Sequence, residues 1–139
     1  HELLLACALR SSMYITDKAV DSAEAAGKKL MVLLSYSSED VIRACSGQPR
    51  FDQAFVDYLG ESQITFVDTL HEHTEEFSTY RVTPEEYAGR YYIGHYNPRG
   101  NHFFAFAVKD AILAWLNPKS PTYRRDQGQA LQALAGSPE

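Results

Sequence analysis

The chain has 139 residues, 45% of them hydrophobic, and a formal charge of −5. This is one domain's worth of protein, with enough aromatic and aliphatic residues to build a core, which excludes a wholly disordered chain. The acidic balance, with no basic block, gives no electrostatic reason for nucleic acid or an anionic membrane surface as a partner.

Residues 3–26 read as a helix with Leu5, Leu9, Met13, Val20 and Ala23 on or near one face and Gly27 as its stop. A strand over residues 3–9 is the alternative. The apolar run at 3–9 is too short to span a bilayer and lacks the charged flank of a secretory signal, so the compartment stays open. Residues 29–35 are a short, nearly continuous apolar run, the pattern of a strand buried on both faces. Ser37 and Asp40 form an S-x-x-D start for a short helix that fades at Gly47. Pro49 opens another helix, in which Phe51, Ala54, Phe55, Tyr58 and Leu59 face one way and Gly60 ends the run. Residues 63–70 form a second strand, rich in β-branched and aromatic side chains.

Thr69 with Glu72, and Thr83 with Pro84 and Glu86, mark two further helix starts. Asn97 is a good N-cap and Pro98 suits the first helical position. After them Phe103, Phe104, Ala107, Val108, Ala111, Ile112, Trp115 and Leu116 recur at three- and four-residue spacing until Asn117-Pro118 stops the helix. His95 therefore sits two residues before the cap, on a loop. The last stretch, 118–139, is proline-punctuated and polar and is expected to be a partly disordered tail. The ordered part is expected to be 1–117.

Strands alternating with helices predict an α/β protein with parallel pairing and helices on both faces of the sheet. Two strands are too few for such a sheet, whose faces and edges must be covered. The missing strands are expected from a preceding part of a larger domain, or from a second copy of the chain at the open sheet edge. Cys7 and Cys45 lack a CxxC spacing, so they read as two buried thiols rather than a disulfide or zinc site. Among His71, His73, His95 and His102, the first two would lie on different faces of a helix, and no carboxylate repeats at ligand spacing, so no metal is expected and these side chains read as solvated or capping. The pairs Glu75-Glu76 and Glu85-Glu86 read as helix-start or solvent-face residues favoured by the helix dipole. Core packing accounts for most of the aromatic density between Phe77 and Phe106, part of which is placed to line an apolar pocket beside His95.

The segment Gly94-His95-Tyr96-Asn97-Pro98-Arg99-Gly100-Asn101 resembles the last conserved block of the SGNH (GDSL-type) hydrolases, D-x-x-H-P-N-x-x-G leading into the final helix. The upstream order of strand, helix and strand, with Asp68 near the second strand's end, fits the back half of that fold. The resemblance implies a flavodoxin-like, three-layer parallel sheet, present as its C-terminal half, and an activity of ester hydrolysis or acyl transfer on an ester-bearing small molecule or glycan. It assigns His95 as general base, a role suited to an imidazole, which accepts a proton near neutral pH and returns it to a leaving group. Tyr96 and Asn97 are the expected substrate contacts, with Asn97 and Gly100 shaping the loop. No metal or organic cofactor is needed for that chemistry.

Two departures from the family pattern follow. The aspartate three residues before the histidine is Tyr92 here, which leaves the imidazole to be oriented by a backbone carbonyl or by a carboxylate such as Asp68 or Glu72. This implies a serine–histidine dyad rather than a triad. The Gly-Asp-Ser nucleophile block and the oxyanion-hole blocks do not occur, so the chain is expected to be inactive alone. Ser35, Ser37 and Ser38 lie at a strand's carboxyl end, where sites in α/β sheets collect, but no nucleophile elbow surrounds them and Ser37 reads as a cap. Leu33-Leu34-Ser35-Tyr36-Ser37-Ser38-Glu39-Asp40 also resembles the opening motif of TIR domains, which implies a signalling or NAD-cleaving module as the alternative.

Overall fold

In the computed structural model, which describes residues 2–117, the chain runs α1 (Glu2–Ala25), β1 (Val32–Leu34), α2 (Ser38–Cys45), α3 (Gln53–Glu61), β2 (Phe66–Asp68), α4 (Thr69–Ser78), α5 (Pro84–Tyr91) and α6 (Pro98–Leu116). The tail expected at 118–139 lies outside the described residues.

Local chemistry starts most of the helices. Ser37 and Asp40 close a reciprocal capping box on α2, and Thr83 and Glu86 do the same on α5 with Pro84 at its first position. Asn97 caps α6 through its side-chain oxygen, which accepts the Gly100 N–H at 2.9 Å. Asn117 ends α6 in the left-handed region at φ 43°, where asparagine is tolerated. Two starts differ from expectation. Asp68, not Thr69, caps α4 by accepting the Leu70 N–H at 3.1 Å, because the Thr69 hydroxyl donates instead to the Leu34 carbonyl at 2.6 Å. The helix expected from Pro49 begins only at Gln53, and the Asp52 side chain makes no cap there because Arg50 and Tyr36 occupy it.

The three-layer parallel sheet is not what the chain builds. Among the described residues there are six helices and one two-stranded sheet, β1 parallel to β2 in the register Val32↔Phe66, Leu33↔Val67, Leu34↔Asp68. Each strand has a partner on one side only, so the expected runs of seven and eight residues shrink to the three at which the two meet. Asp68 also turns the chain into α4 at once, which removes Thr69 and Leu70 from the strand. Leu33 is 40% exposed, so the sheet is not covered on both faces as the apolar run implied.

The expected face of α1 does form. Leu5, Leu9, Met13, Val20 and Ala23 are all half-buried, though no residue of this helix is fully buried. The α1 helix packs on α3, where the Tyr58 hydroxyl lies 3.2 Å from the Met13 carbonyl, and the strand alternative at 3–9 falls within it. Cys7 is exposed on this helix, against the expectation of two buried thiols. Cys45 is half-buried, and burial pushes its thiol up to about 11.

The main core lies where α2, α4, α5 and α6 meet, around Tyr36, Val41, Leu70, Tyr87, Ala88, Tyr91 and Tyr92. Four of these seven are tyrosines, and a buried tyrosine needs a partner for its hydroxyl. The candidate site is built on that requirement.

Candidate functional site

The His95 loop is a short hairpin held at both ends. Tyr92 and Tyr96 pair as an isolated antiparallel bridge, and the Ile93 N–H donates to the His95 carbonyl at 2.8 Å. Gly94 turns the chain at φ +91°, a conformation a residue with a Cβ adopts only under strain. The Asn97 N–H donates to the Tyr91 carbonyl at 2.8 Å, and its side-chain amide donates to the Arg90 carbonyl at 2.9 Å. The start of α6 is thereby tied to the end of α5. Gly100 is buried in this joint, where a Cβ would strike the Tyr91 carbonyl oxygen and the Tyr96 ring.

His95 is exposed at the hairpin tip, and its Nδ1 lies 2.8 Å from the Tyr96 carbonyl oxygen. A carbonyl only accepts, so Nδ1 carries the proton and the lone pair resides on Nε2. Of the orienting groups the sequence left open, the backbone carbonyl is the one in place. Asp68 is bound to Arg50 at 2.6 Å, and Glu72 borders a cleft between α4 and α6. Tyr92, at the family's aspartate position, turns inward and donates to the Tyr36 carbonyl at 3.2 Å. Asn97 spends its side chain on Arg90 and Gly100. Tyr96 is half-buried, with its hydroxyl 2.9 Å from Nε2 of His73.

His73 is the residue that sequence reasoning missed. Expected to be solvated or capping, it is fully buried, stacked on Phe103 at 4.0 Å and surrounded by Tyr87, Tyr91, Tyr92 and Tyr96. Its Nδ1 lies 3.0 Å from the Tyr87 hydroxyl, and its Nε2 also lies 3.2 Å from that of Tyr92. Burial pushes its pKa down to about 4, so the ring is neutral at neutral pH. Glu76, expected on a solvent face, accepts the Tyr87 hydroxyl at 2.7 Å and the Tyr91 hydroxyl at 2.8 Å. Burial, then the Glu76 carboxylate, raise both tyrosines above their ordinary range. The signal was in the sequence: Leu70, His73 and Phe77 share one face of α4.

A second polar cluster sits at the carboxyl ends of the strands. Arg50 donates to Asp52 at 2.8 Å, to Asp68 at 2.6 Å and to the Tyr36 hydroxyl at 2.7 Å, while Tyr36 donates to Asp52 at 2.7 Å. Its groups are mutually satisfied. Ser37, in the same region, is committed to Asp40, both accepting from its N–H and donating to its carboxylate. Ser38 lines a groove of about 230 Å³ together with Glu85, Tyr92 and Gly94, the last being the chain neighbour of His95. That volume falls below the ~300–1,000 Å³ of a small-molecule site. No group of three or more His, Cys, Asp or Glu among the described residues is placed to hold a metal ion, and no described helix is long and apolar enough to cross a membrane.

Comparison of the chain with protein-family models, with curated proteins and with solved structures gives no match.

Proposed function

We propose that this chain supplies the general-base histidine, His95, of an SGNH-like ester hydrolase or acyl transferase whose serine nucleophile lies outside the chain. The supporting observation is the 2.8 Å bond from His95 Nδ1 to the Tyr96 carbonyl, on an exposed hairpin tip braced by two helices. This bond sets the tautomer a base requires, the task an aspartate performs in a triad. The undersized groove beside the hairpin is consistent with a site that needs further residues to enclose a substrate.

In that reaction His95 Nε2 takes the proton from the serine hydroxyl as its oxygen attacks the ester carbonyl. The imidazolium then returns the proton to the departing alkoxide. A water or a second alcohol repeats the sequence on the acyl-enzyme, releasing the acid or a new ester. No step calls for a metal or an organic cofactor.

The test is His95→Ala in the full-length protein, assayed on short-chain aryl esters. The side chain is exposed, so the fold stays intact while turnover falls by about 10³-fold or more. Turnover equal to the parent's removes the base assignment. The 139-residue chain alone is expected to show little hydrolysis.

A further inference from the structure

His73 lies beneath the hairpin that carries His95, and the acceptors and distances around it direct the protons of its network. The Glu76 carboxylate only accepts, so the single hydroxyl protons of Tyr87 and Tyr91 point to it. The Tyr87 oxygen must then accept from His73, which puts the ring proton on Nδ1 at 3.0 Å. The Nε2 lone pair is left to accept, and the Tyr92 hydroxyl lies 3.2 Å both from it and from the Tyr36 carbonyl. The closer of the two hydroxyls, that of Tyr96 at 2.9 Å, is the donor to Nε2. A directed chain runs from Tyr96 through His73 and Tyr87 to Glu76.

Tyr96 is also the residue whose carbonyl holds the His95 imidazole. Its ring stacks on Tyr92 with centroids 4.6 Å apart, and a Cβ on Gly100 would collide with it. Ring, hydroxyl and carbonyl of one residue thus join the buried network to the exposed base. We propose that His73 is a positioning residue for His95: by accepting the Tyr96 hydroxyl it fixes the Tyr96 carbonyl and thereby holds His95 as its Nδ1–H tautomer. The catalytic meaning of this rests on His95 being the base, but the tautomer itself does not.

The two ideas separate experimentally. The ring ¹⁵N shifts of His95 in the 139-residue chain, at mildly alkaline pH, report its tautomer without any assay of activity. The parent is expected to be predominantly Nδ1–H. Tyr96→Phe keeps the ring and its stack, removes one hydroxyl, and is expected to shift His95 toward the Nε2–H form that an unrestrained imidazole favours. His73→Gln, whose amide oxygen offers a substitute acceptor, is expected to retain most of the Nδ1–H population, and His73→Leu to lose it. Unchanged His95 shifts in both Tyr96→Phe and His73→Leu overturn the proposal, whatever the esterase assay reads.

In the full-length hydrolase the same Tyr96→Phe change is expected to lower kcat about tenfold with KM nearly unchanged, because it misplaces the base rather than the substrate. A rise in KM at constant kcat contradicts positioning. If His95→Ala leaves hydrolysis untouched while Tyr96→Phe still shifts the tautomer, the positioning stands and the hydrolase reading falls.

Discussion

Apart from Thr69, the buried polar side chains among the described residues belong to two clusters that solve burial in opposite ways. Around Arg50 the solution is charge: one guanidinium satisfies two carboxylates and a phenol at the strand ends. Around His73 the solution is neutrality, with an uncharged imidazole linked through tyrosines to a single carboxylate at the margin. The first cluster joins distant segments, since Arg50 and Asp68 belong to α3's approach and β2's end. The second supports one hairpin. Either cluster fails when a partner is lost or a proton is gained, but the proton arrives in a different pH range for each.

The largest effect is expected from Arg50→Ala. It strands Asp52 and Asp68, whose side chains are only 8% and 14% exposed, without a cation. Breaking such a pair costs about 3–5 kcal/mol. Urea unfolding should show that loss, and Arg50→Lys should recover only part of it, because an ammonium lacks the fork that reaches both carboxylates. A loss below about 1 kcal/mol would mean that water already screens the cluster.

Acid should act on the two clusters in different pH ranges. His73 has a folded pKa lowered to about 4, so the unfolded chain binds the extra proton below its ordinary value of about 6.5. Its contribution, on the order of 3 kcal/mol, is therefore complete above about pH 6.5 and is lost as pH falls toward about 4. For Asp52, burial opposes ionisation but the hydrogen bonds from Arg50 and Tyr36 outweigh it, and its pKa is lowered. That contribution is present above the ordinary carboxylate range and lost only as pH falls below it. Unfolding free energy measured across these ranges should decline first through His73, and His73→Gln should flatten the upper window while leaving the lower. An unaltered upper slope in that variant would assign the acid sensitivity elsewhere.

The contrast also explains what could be read from the chain. Periodicity and caps are local, and they placed both capping boxes, the cap of α6 and the inward face of α1. The sheet is not local. An apolar run at 29–35 suits a strand with two neighbours as well as one with a single neighbour, and with one neighbour only Val32–Leu34 pairs. The hairpin of His95 was legible as a loop before a capped helix. A backbone carbonyl was one of the orienting groups left open, but the choice of the Tyr96 carbonyl over Asp68 or Glu72 was not legible, because a bond between adjacent residues leaves no mark in residue type. His73 escaped for a related reason: a histidine reads as polar until its helical face is counted with Leu70 and Phe77.

The smallest effect concerns Ser37, the chain neighbour of Tyr36 in the ionic cluster, and Thr83, whose carbonyl accepts the N–H of Tyr87 in the neutral one. Each accepts the N–H of its third helical residue at 3.2 Å, from Asp40 and Glu86 respectively, and each has a reciprocal carboxylate bond to its own N–H. Loss of either hydroxyl to alanine is expected to cost about 1 kcal/mol. Neither change should alter the upper window of the pH dependence, since neither hydroxyl touches His73. Ser37 carries an added question, because it lies in the Ser-Tyr-Ser-Ser-Glu-Asp stretch at a strand's carboxyl end, where a nucleophile would be useful. A cap and a nucleophile differ in what their removal does: both variants should lose the same stability, but only a nucleophile takes turnover with it. If His95 serves as the proposed base, the Ser37→Ala and Thr83→Ala variants of the full-length protein should therefore hydrolyse esters alike. If Ser37→Ala alone abolished turnover, the nucleophile would lie on this chain, and the assignment of His95 to a serine outside it would have to be abandoned.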